Sequence, residues 1–408
     1  MSSKKEVTKG SHHSTSGVIS WTIFVATMII VVLSLIPVLF PAFLLRTFGG
    51  YVDYMGVNPF EVGIWAIPFV ITNLIVLFLV ILYYKNKLGK ILTKSIRFIF
   101  DFELSKQLSF LVIAVLIGLY ITFNVTELRD GEFFPDFLIH FKPWLEVYSP
   151  TNFENTPISY HLQLFLEKGS MDVFGNYKVV PFIASISLPI LTYFFTAEIT
   201  KKRFAGIIAM VIVLQSGVFL MYDTSVSYPN FWTVFYLLSL YLILKKWAFS
   251  HISYIASIIS KPLSLAFFPM TLHFIYKSEF ARKKKTLIFV SFIVMLVVLI
   301  AIPNDLSQNL GKFENHDFWA GLSTAYLALR YDGLVLVFML PLIVGLFIAS
   351  RNGIRYADSI MFLIMGILAL APFLEAFTGV INAPYRFIPL VVFFAIGTGV
   401  LLSKRETK

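Results

Sequence analysis

Asp130, Glu132, Asp136 and His140 fall within eleven consecutive positions of a chain that is otherwise poor in charge. Carboxylates grouped in this way can take a proton from an attacking hydroxyl or amide, or share a divalent cation with the imidazole. A base of that kind is half of a group-transfer site, and the other half is a cation that receives the leaving group. Arg386, in Pro384-Tyr385-Arg386-Phe387-Ile388-Pro389-Leu390, suits that role, because a guanidinium can hold a phosphate through two parallel N–H donors. Arg330 and Lys261 are further candidates for the phosphate. The spacing alone leaves Asp130 and Asp136 as alternative bases, with Glu132 in support, and no ligand spacing demands a metal. A solvated loop and a helix dipole satisfy such acids equally well one at a time; their combination with cations near an apolar span gives them chemical meaning.

The elements that must position these residues are membrane spans. The 408-residue chain is 58% hydrophobic, 17% aromatic and only 14% charged, with a mean hydropathy of +0.80, which describes an all-α polytopic membrane bundle. Spans of suitable length read at about 18–46, 63–84, 107–124, 178–198, 204–222, 229–246, 286–303, 333–350, 356–376 and 384–403, ten full crossings. Residues 247–276 are apolar, yet Lys245 and Lys246 precede them and Lys277 and Arg282 to Lys285 follow. Both flanks therefore belong on one side. Lys261-Pro262 breaks the stretch, since proline removes a donor and disfavours helix at the preceding residue, and the expectation is a short helical hairpin with Lys261 at its tip.

That arrangement puts most of the 33 Lys and Arg on one side and most of the 23 Asp and Glu on the other. It predicts a multi-pass protein of the cytoplasmic membrane with both termini cytoplasmic, and a first span retained as an uncleaved anchor. The net charge of +10 reflects this orientation, and no nucleic-acid partner is expected. The segment from Lys85 to Lys106 alternates basic and apolar residues at helical spacing, as a helix lying on anionic lipid does. With no cysteine and no Gly-rich phosphate loop, thiol chemistry and self-contained nucleotide hydrolysis are excluded.

Residues 125–177 form the one long acidic connector, with eight acidic and three basic residues. Phe134, Phe137, Leu138, Phe141, Trp144 and Leu145 recur at helical spacing after Pro135, and Pro143 restarts or bends that helix. Thr156-Pro157 should cap a second helix ending at Gly169. Both are expected to lie apolar face down on the membrane, with Asp136 and His140 on a shared helix face. Tyr160 and His161, within the second helix, and His140 in the first are candidates to lie close to an acceptor or a metal. Tyr222-Asp223 and His316-Asp317 read as caps or solvated pairs. Gln215 reads as a buried hydrogen bonder between helices.

From about residue 104 to the end, this succession resembles the GT-C superfamily of membrane glycosyltransferases, the group that includes dolichyl-phosphate-mannose protein mannosyltransferases. The resemblance rests on the order Asp130-Gly131-Glu132-Phe133-Phe134-Pro135-Asp136, Thr156-Pro157-Ile158-Ser159-Tyr160, Gly175-Asn176-Tyr177, Lys201-Lys202-Arg203, Ser260-Lys261-Pro262 and the terminal Tyr385-Arg386-Phe387. Phe133 and Phe134 stand where the family carries tyrosines beside its acidic pair. The resemblance implies a cytoplasmic tail (1–17), a two-span addition with a basic interfacial helix (18–106) and a GT-C-like core (107–408) containing the external loop. It implies transfer of a sugar from a polyprenyl-phosphate donor to a glycan, protein or lipid acceptor on the external face, with a divalent metal allowed but not required. A noncatalytic membrane assembly subunit and, further behind, a transporter are the competing readings.

Overall fold

A computed structural model describes residues 12–43, 58, 60–149, 160–301, 311–379 and 383–403. The described residues are all-helical in class, 82% helix with no strand. Seven helices are long and apolar enough to cross a membrane: α1 (His12–Leu39), α2 (Ala66–Tyr84), α4 (Lys106–Asn124), α7 (Val179–Thr200), α14 (Gly333–Arg351), α15 (Ala357–Thr378) and α16 (Ile388–Leu401), the last preceded by a 3₁₀ turn over Pro384–Phe387. The remaining elements are α3 (Lys90–Asp101), α5 (Lys142–Val147), α6 (His161–Phe174), α8 (Arg203–Leu214), α9 (Gly217–Tyr222), α10 (Phe231–Ser260), α11 (Phe268–Lys277), α12 (Arg282–Ala301) and α13 (Asn315–Leu329).

Among the described residues seven helices have the length and apolarity to span, fewer than the ten spans read from hydropathy, and the clearest difference is at the span expected over 204–222. It breaks at Gln215, so that α8 and α9 are separate helices. Ser216 caps α9, its Oγ accepting from Phe219 N at 3.0 Å, while Asp332 accepts from Gly217 N at 2.9 Å and from the Ser216 hydroxyl at 3.0 Å. A carboxylate aimed at a helix start offers the backbone donors a better partner than continuing the helix would. Gln215 is exposed at this break, not buried between helices.

The hairpin over 247–276 forms as the charge pattern requires. α10 reverses at Lys246, whose φ of −144° and ψ of 67° are not helical, and its two halves then run side by side. Ser253 Oγ donates to Phe235 O and Ser257 Oγ to Trp232 O, both at 2.7 Å. The second half ends at Lys261, Pro262–Phe267 turns the chain, and α11 returns. Lys245 pairs with Glu198 at 2.5 Å and Lys277 with the buried Asp358 at 2.6 Å, so both feet of the hairpin stand at one end of the bundle. We call this the basic end and the opposite one the acidic end.

α16 is the most enclosed of the seven helices and α2 the least. α16 packs against α7, α8, α14 and α15, and α1 against α13, α14 and α15. Small residues permit the closest approaches. A Cβ on Gly206 of α8 would sit 2.7 Å from the Tyr193 ring and 2.8 Å from its carbonyl, so the α7–α8 contact requires glycine. The tight turn between them is made by Lys201 in the left-handed region, with φ of 54°. Lys202, buried in that turn, donates to the carbonyls of Ile99 (3.2 Å), Phe100 (2.8 Å) and Leu402 (3.3 Å), the C-terminal ends of α3 and α16. A cation there is favoured by both helix dipoles. No residue of α3 is buried; Ile91 and Phe98 are exposed beside Lys94 and Arg97, as suits a helix lying on lipid.

The acidic connector is more irregular than its periodicity predicts. The first helix is a π turn over Phe137–Phe141 followed by the short α5, with Pro143 at its start. The second begins with Tyr160 and His161 and passes through Gly169 to end at Gly175, which takes the left-handed conformation at φ of 67°. Gly169 is tolerated inside at a cost of about 1 kcal/mol, whereas Gly175 supplies the positive φ that the C-terminus needs. The predicted cap Thr156-Pro157 lies outside the described residues. These helices do not simply lie apolar face down: Phe141, Leu145, Tyr148 and Leu164 bury themselves with Val226 in a small core above the bundle.

Candidate functional site

The acidic end brings together residues far apart in the chain. Pro135 and the π turn present Asp136 to the 223–230 loop, where the Tyr228 hydroxyl donates to Asp136 Oδ2. Phe134 steadies this strip, stacking on Tyr222 at 4.8 Å and meeting Tyr228 edge-on at 5.1 Å. The Tyr228 ring in turn stacks on Tyr385, with centroids 4.1 Å apart and planes 15° from parallel. The Tyr385 hydroxyl accepts from Lys261 Nζ at 2.8 Å and from Arg386 Nε at 3.2 Å, and Lys261 also lies 4.1 Å from the ring centroid. A carboxylate and two cations are thus linked by a pair of stacked phenols. Tyr160 belongs to the same field: burial pushes its phenol above the ordinary range, with Tyr385 and Asp136 adding to the shift and Arg386 opposing it.

The loop that carries Tyr228 is held by other acids. Glu132 accepts from Ser225 Oγ and from Val226 N, both at 2.9 Å. Glu127 accepts from Thr224 Oγ1 at 3.1 Å, and Asp223 from the Tyr120 hydroxyl at 2.6 Å. Asn230 Nδ2 donates to Ser185 Oγ at 2.9 Å, and Gln163 Nε2 to Val226 O at 3.1 Å. Lys178 ties the other side, donating to the carbonyls of Glu127 and Gly131 at 3.3 and 3.1 Å. Burial pushes the Asp223 carboxyl up to about 7, opposed by the Tyr120 hydrogen bond and reinforced by Glu127. Glu167, fully buried beneath this loop, is pushed well above the usual carboxylate range by burial, opposed by a hydrogen bond with Gln163 and reinforced by Glu132.

Of the residues singled out in sequence, Asp136, Tyr160, Lys261 and Arg386 meet at this cluster. Asp130 is exposed, and its backbone N–H caps Glu127 O at 3.2 Å. Glu132 uses both carboxylate oxygens to hold the Tyr228 loop. His140 is exposed against Trp144, with centroids 5.9 Å apart, while Asp136 turns to Tyr228. His161 is bonded to the Tyr148 hydroxyl at 3.1 Å. Arg330 is exposed and donates to its neighbour Tyr331 at 3.1 Å. His316 and Asp317 pair with each other at 3.2 Å. Tyr222-Asp223, read as a cap, anchors the site loop instead. Tyr228 was not anticipated, although the polar run Asp223-Thr224-Ser225-Val226-Ser227-Tyr228 between two apolar helices was its signal.

Among the described residues no group of three or more His, Asp or Glu is placed to hold a metal ion. The chemistry available is a carboxylate oriented by a phenol, and positive charge beside it. That pairing suits removal of a proton at one point and acceptance of negative charge at another. Comparison of the chain with protein-family models, with curated proteins and with solved structures gave no match.

Proposed function

We propose that this protein is an integral membrane glycosyltransferase that moves a sugar from a polyprenyl-phosphate donor to a nucleophilic acceptor at the acidic end. The observation that carries the reading is the link from Asp136 through Tyr228 and Tyr385 to Lys261 and Arg386. The donor phosphate would lie against Arg386 and Lys261. Asp136 takes the proton of the acceptor hydroxyl, the acceptor oxygen attacks the anomeric carbon, and the bond from that carbon to the phosphate oxygen breaks. The electron pair leaves with the phosphate, whose charge the two cations stabilise, and the proton stays on Asp136. Tyr160 lies where an acceptor would approach.

In the same reading α1, α2, α4, α7, the α8–α9 pair, the first half of α10, α12, α14, α15 and α16 supply ten passages. The basic end is cytoplasmic, with both termini, because Lys and Arg concentrate there.

The test is a transfer assay with lipid-phosphate sugars extracted from native membranes, run beside a binding assay for polyprenyl phosphate. Asp136→Asn is expected to lower turnover by roughly 10²- to 10⁴-fold while binding is kept, and Asp130→Asn to leave both unchanged. Arg386→Ala is expected to weaken binding. Normal turnover in Asp136→Asn would reject the carboxylate as the base and favour a noncatalytic assembly subunit.

A further inference from the structure

The basic end holds a cavity of about 1040 Å³, remote from the Asp136 cluster. Chain segments from seven places converge on it: the starts of α4 and α8, the ends of α7 and α16, the reversal of α10, and the connections α11–α12 and α14–α15. Six cations line it, Lys106, Lys201, Lys202, Arg203, Lys245 and Arg355, against three carboxylates, Glu103, Glu198 and Glu279.

The pairing inside is incomplete. Glu198 is shared between Lys201 at 2.8 Å and Lys245 at 2.5 Å. Arg203–Glu103 at 3.6 Å and Arg355–Glu279 at 3.5 Å are longer than a committed charge-assisted hydrogen bond. Each arginine keeps 44% of its side chain exposed, and Lys106, exposed on the rim, forms no ion pair among the described residues. The lower wall is apolar. Phe110 and Phe194 lie 6.5 Å apart and face outward between α4 and α7, and α4 continues that exposed apolar face through Leu111, Val115 and Leu119.

We propose that this basin binds the phosphate headgroup of an anionic membrane lipid, with an acyl chain leaving between Phe110 and Phe194 along α4. Excess positive charge over an outward-facing aromatic and aliphatic wall at the end of membrane helices fits a ligand that is anionic at one end and apolar at the other. A small soluble anion would leave the aromatic wall unused. The amphipathic α3, whose C-terminus Lys202 ties to the same corner, lies beside the basin at the level where headgroups are found. The assignment is independent of the transfer reaction at the other end.

The experiment uses the full chain in phosphatidylcholine nanodiscs with and without phosphatidylglycerol, followed by extraction and native mass spectrometry of the retained lipid. Wild type is expected to retain phosphatidylglycerol selectively. Lys106→Gln/Arg203→Gln/Arg355→Gln together should weaken retention roughly a hundredfold, at about fivefold for each cation. Lys90→Gln/Lys94→Gln/Arg97→Gln on α3 should have a smaller effect. Unchanged retention in the first variant, or equal loss in both, would overturn the site, the latter by reducing it to bulk surface attraction. If the triple variant does not fold, Lys106→Gln alone reads the fivefold change, and its absence has the same force. Inorganic phosphate should not displace the lipid; displacement would overturn the acyl-chain part of the assignment.

Discussion

Tyr228→Phe isolates a single atom of the proposed site. The ring remains, and with it the stack on Tyr385 and the edge contact with Phe134; what disappears is the hydroxyl that donates to Asp136. A hydrogen bond to a charged acceptor contributes about 1.5–3 kcal/mol. If its whole value lies in orienting the base when the proton moves, turnover falls about 10- to 150-fold, at about 1.4 kcal/mol for each factor of ten. That is a smaller loss than removal of the base itself. Donor binding should be unchanged, because Lys261 and Arg386 keep their bonds to Tyr385. Burial, then the Asp136 carboxylate, push the Tyr228 phenol above its ordinary range, so it remains a donor at every working pH and the wild type should show no alkaline loss from its ionisation. The assay is single-turnover transfer with donor affinity measured in parallel. Wild-type turnover in Tyr228→Phe beside an inactive Asp136→Asn would refute the positioning role, and a matching loss of donor affinity would show that the hydroxyl only holds the fold.

Lys277→Met should destabilise the protein by about 3–5 kcal/mol, because it leaves the fully buried Asp358 charge alone, whereas Lys277→Met with Asp358→Leu should recover most of that loss; thermal unfolding in detergent reads both. Asp223 is raised from 3.8 to about 7 in the fold, so the folded protein binds the extra proton and its stability falls as pH rises from about 4 to about 7. Asp223→Asn, which keeps an acceptor for Tyr120, should flatten that fall, and melting curves between pH 5 and 8 will show whether it does. Since the chain has no cysteine, single cysteines at positions 130 and 283 should label from opposite faces of sealed vesicles; labelling from the same face would refute the proposed orientation.

The hairpin shows what one sequence can reveal. Its basic flanks and the Lys261-Pro262 break were enough to place both feet at one end and the lysine at the other, because charge asymmetry and the missing proline donor act locally. Arg386 was legible for a similar reason, as a cation opening an apolar span. Tyr228 and Tyr385 were not, since their meeting depends on the return of distant segments to one corner, for which spacing carries no signal. Glu132, read as a support to the base beside it, holds the loop that carries Tyr228, a contact with a distant segment that its neighbourhood in the chain does not announce. The break inside the 204–222 span was not legible, because hydropathy does not register the Asp332 carboxylate that caps the start of α9 from outside.

The central helix also sets a thickness. From Arg386 through two 3₁₀ positions and the length of α16 to Leu402, the rise amounts to about 25 Å, a little less than the roughly 30 Å hydrocarbon core of a typical bilayer. α16 is the most enclosed of the seven helices, so it meets protein rather than lipid along most of its length and the bilayer need not thin to match it; tilting would only shorten its reach. In the proposed reading, a long-chain phosphate approaching Arg386 would therefore leave the headgroup layer and enter the protein, shedding headgroup neighbours and water before it arrives.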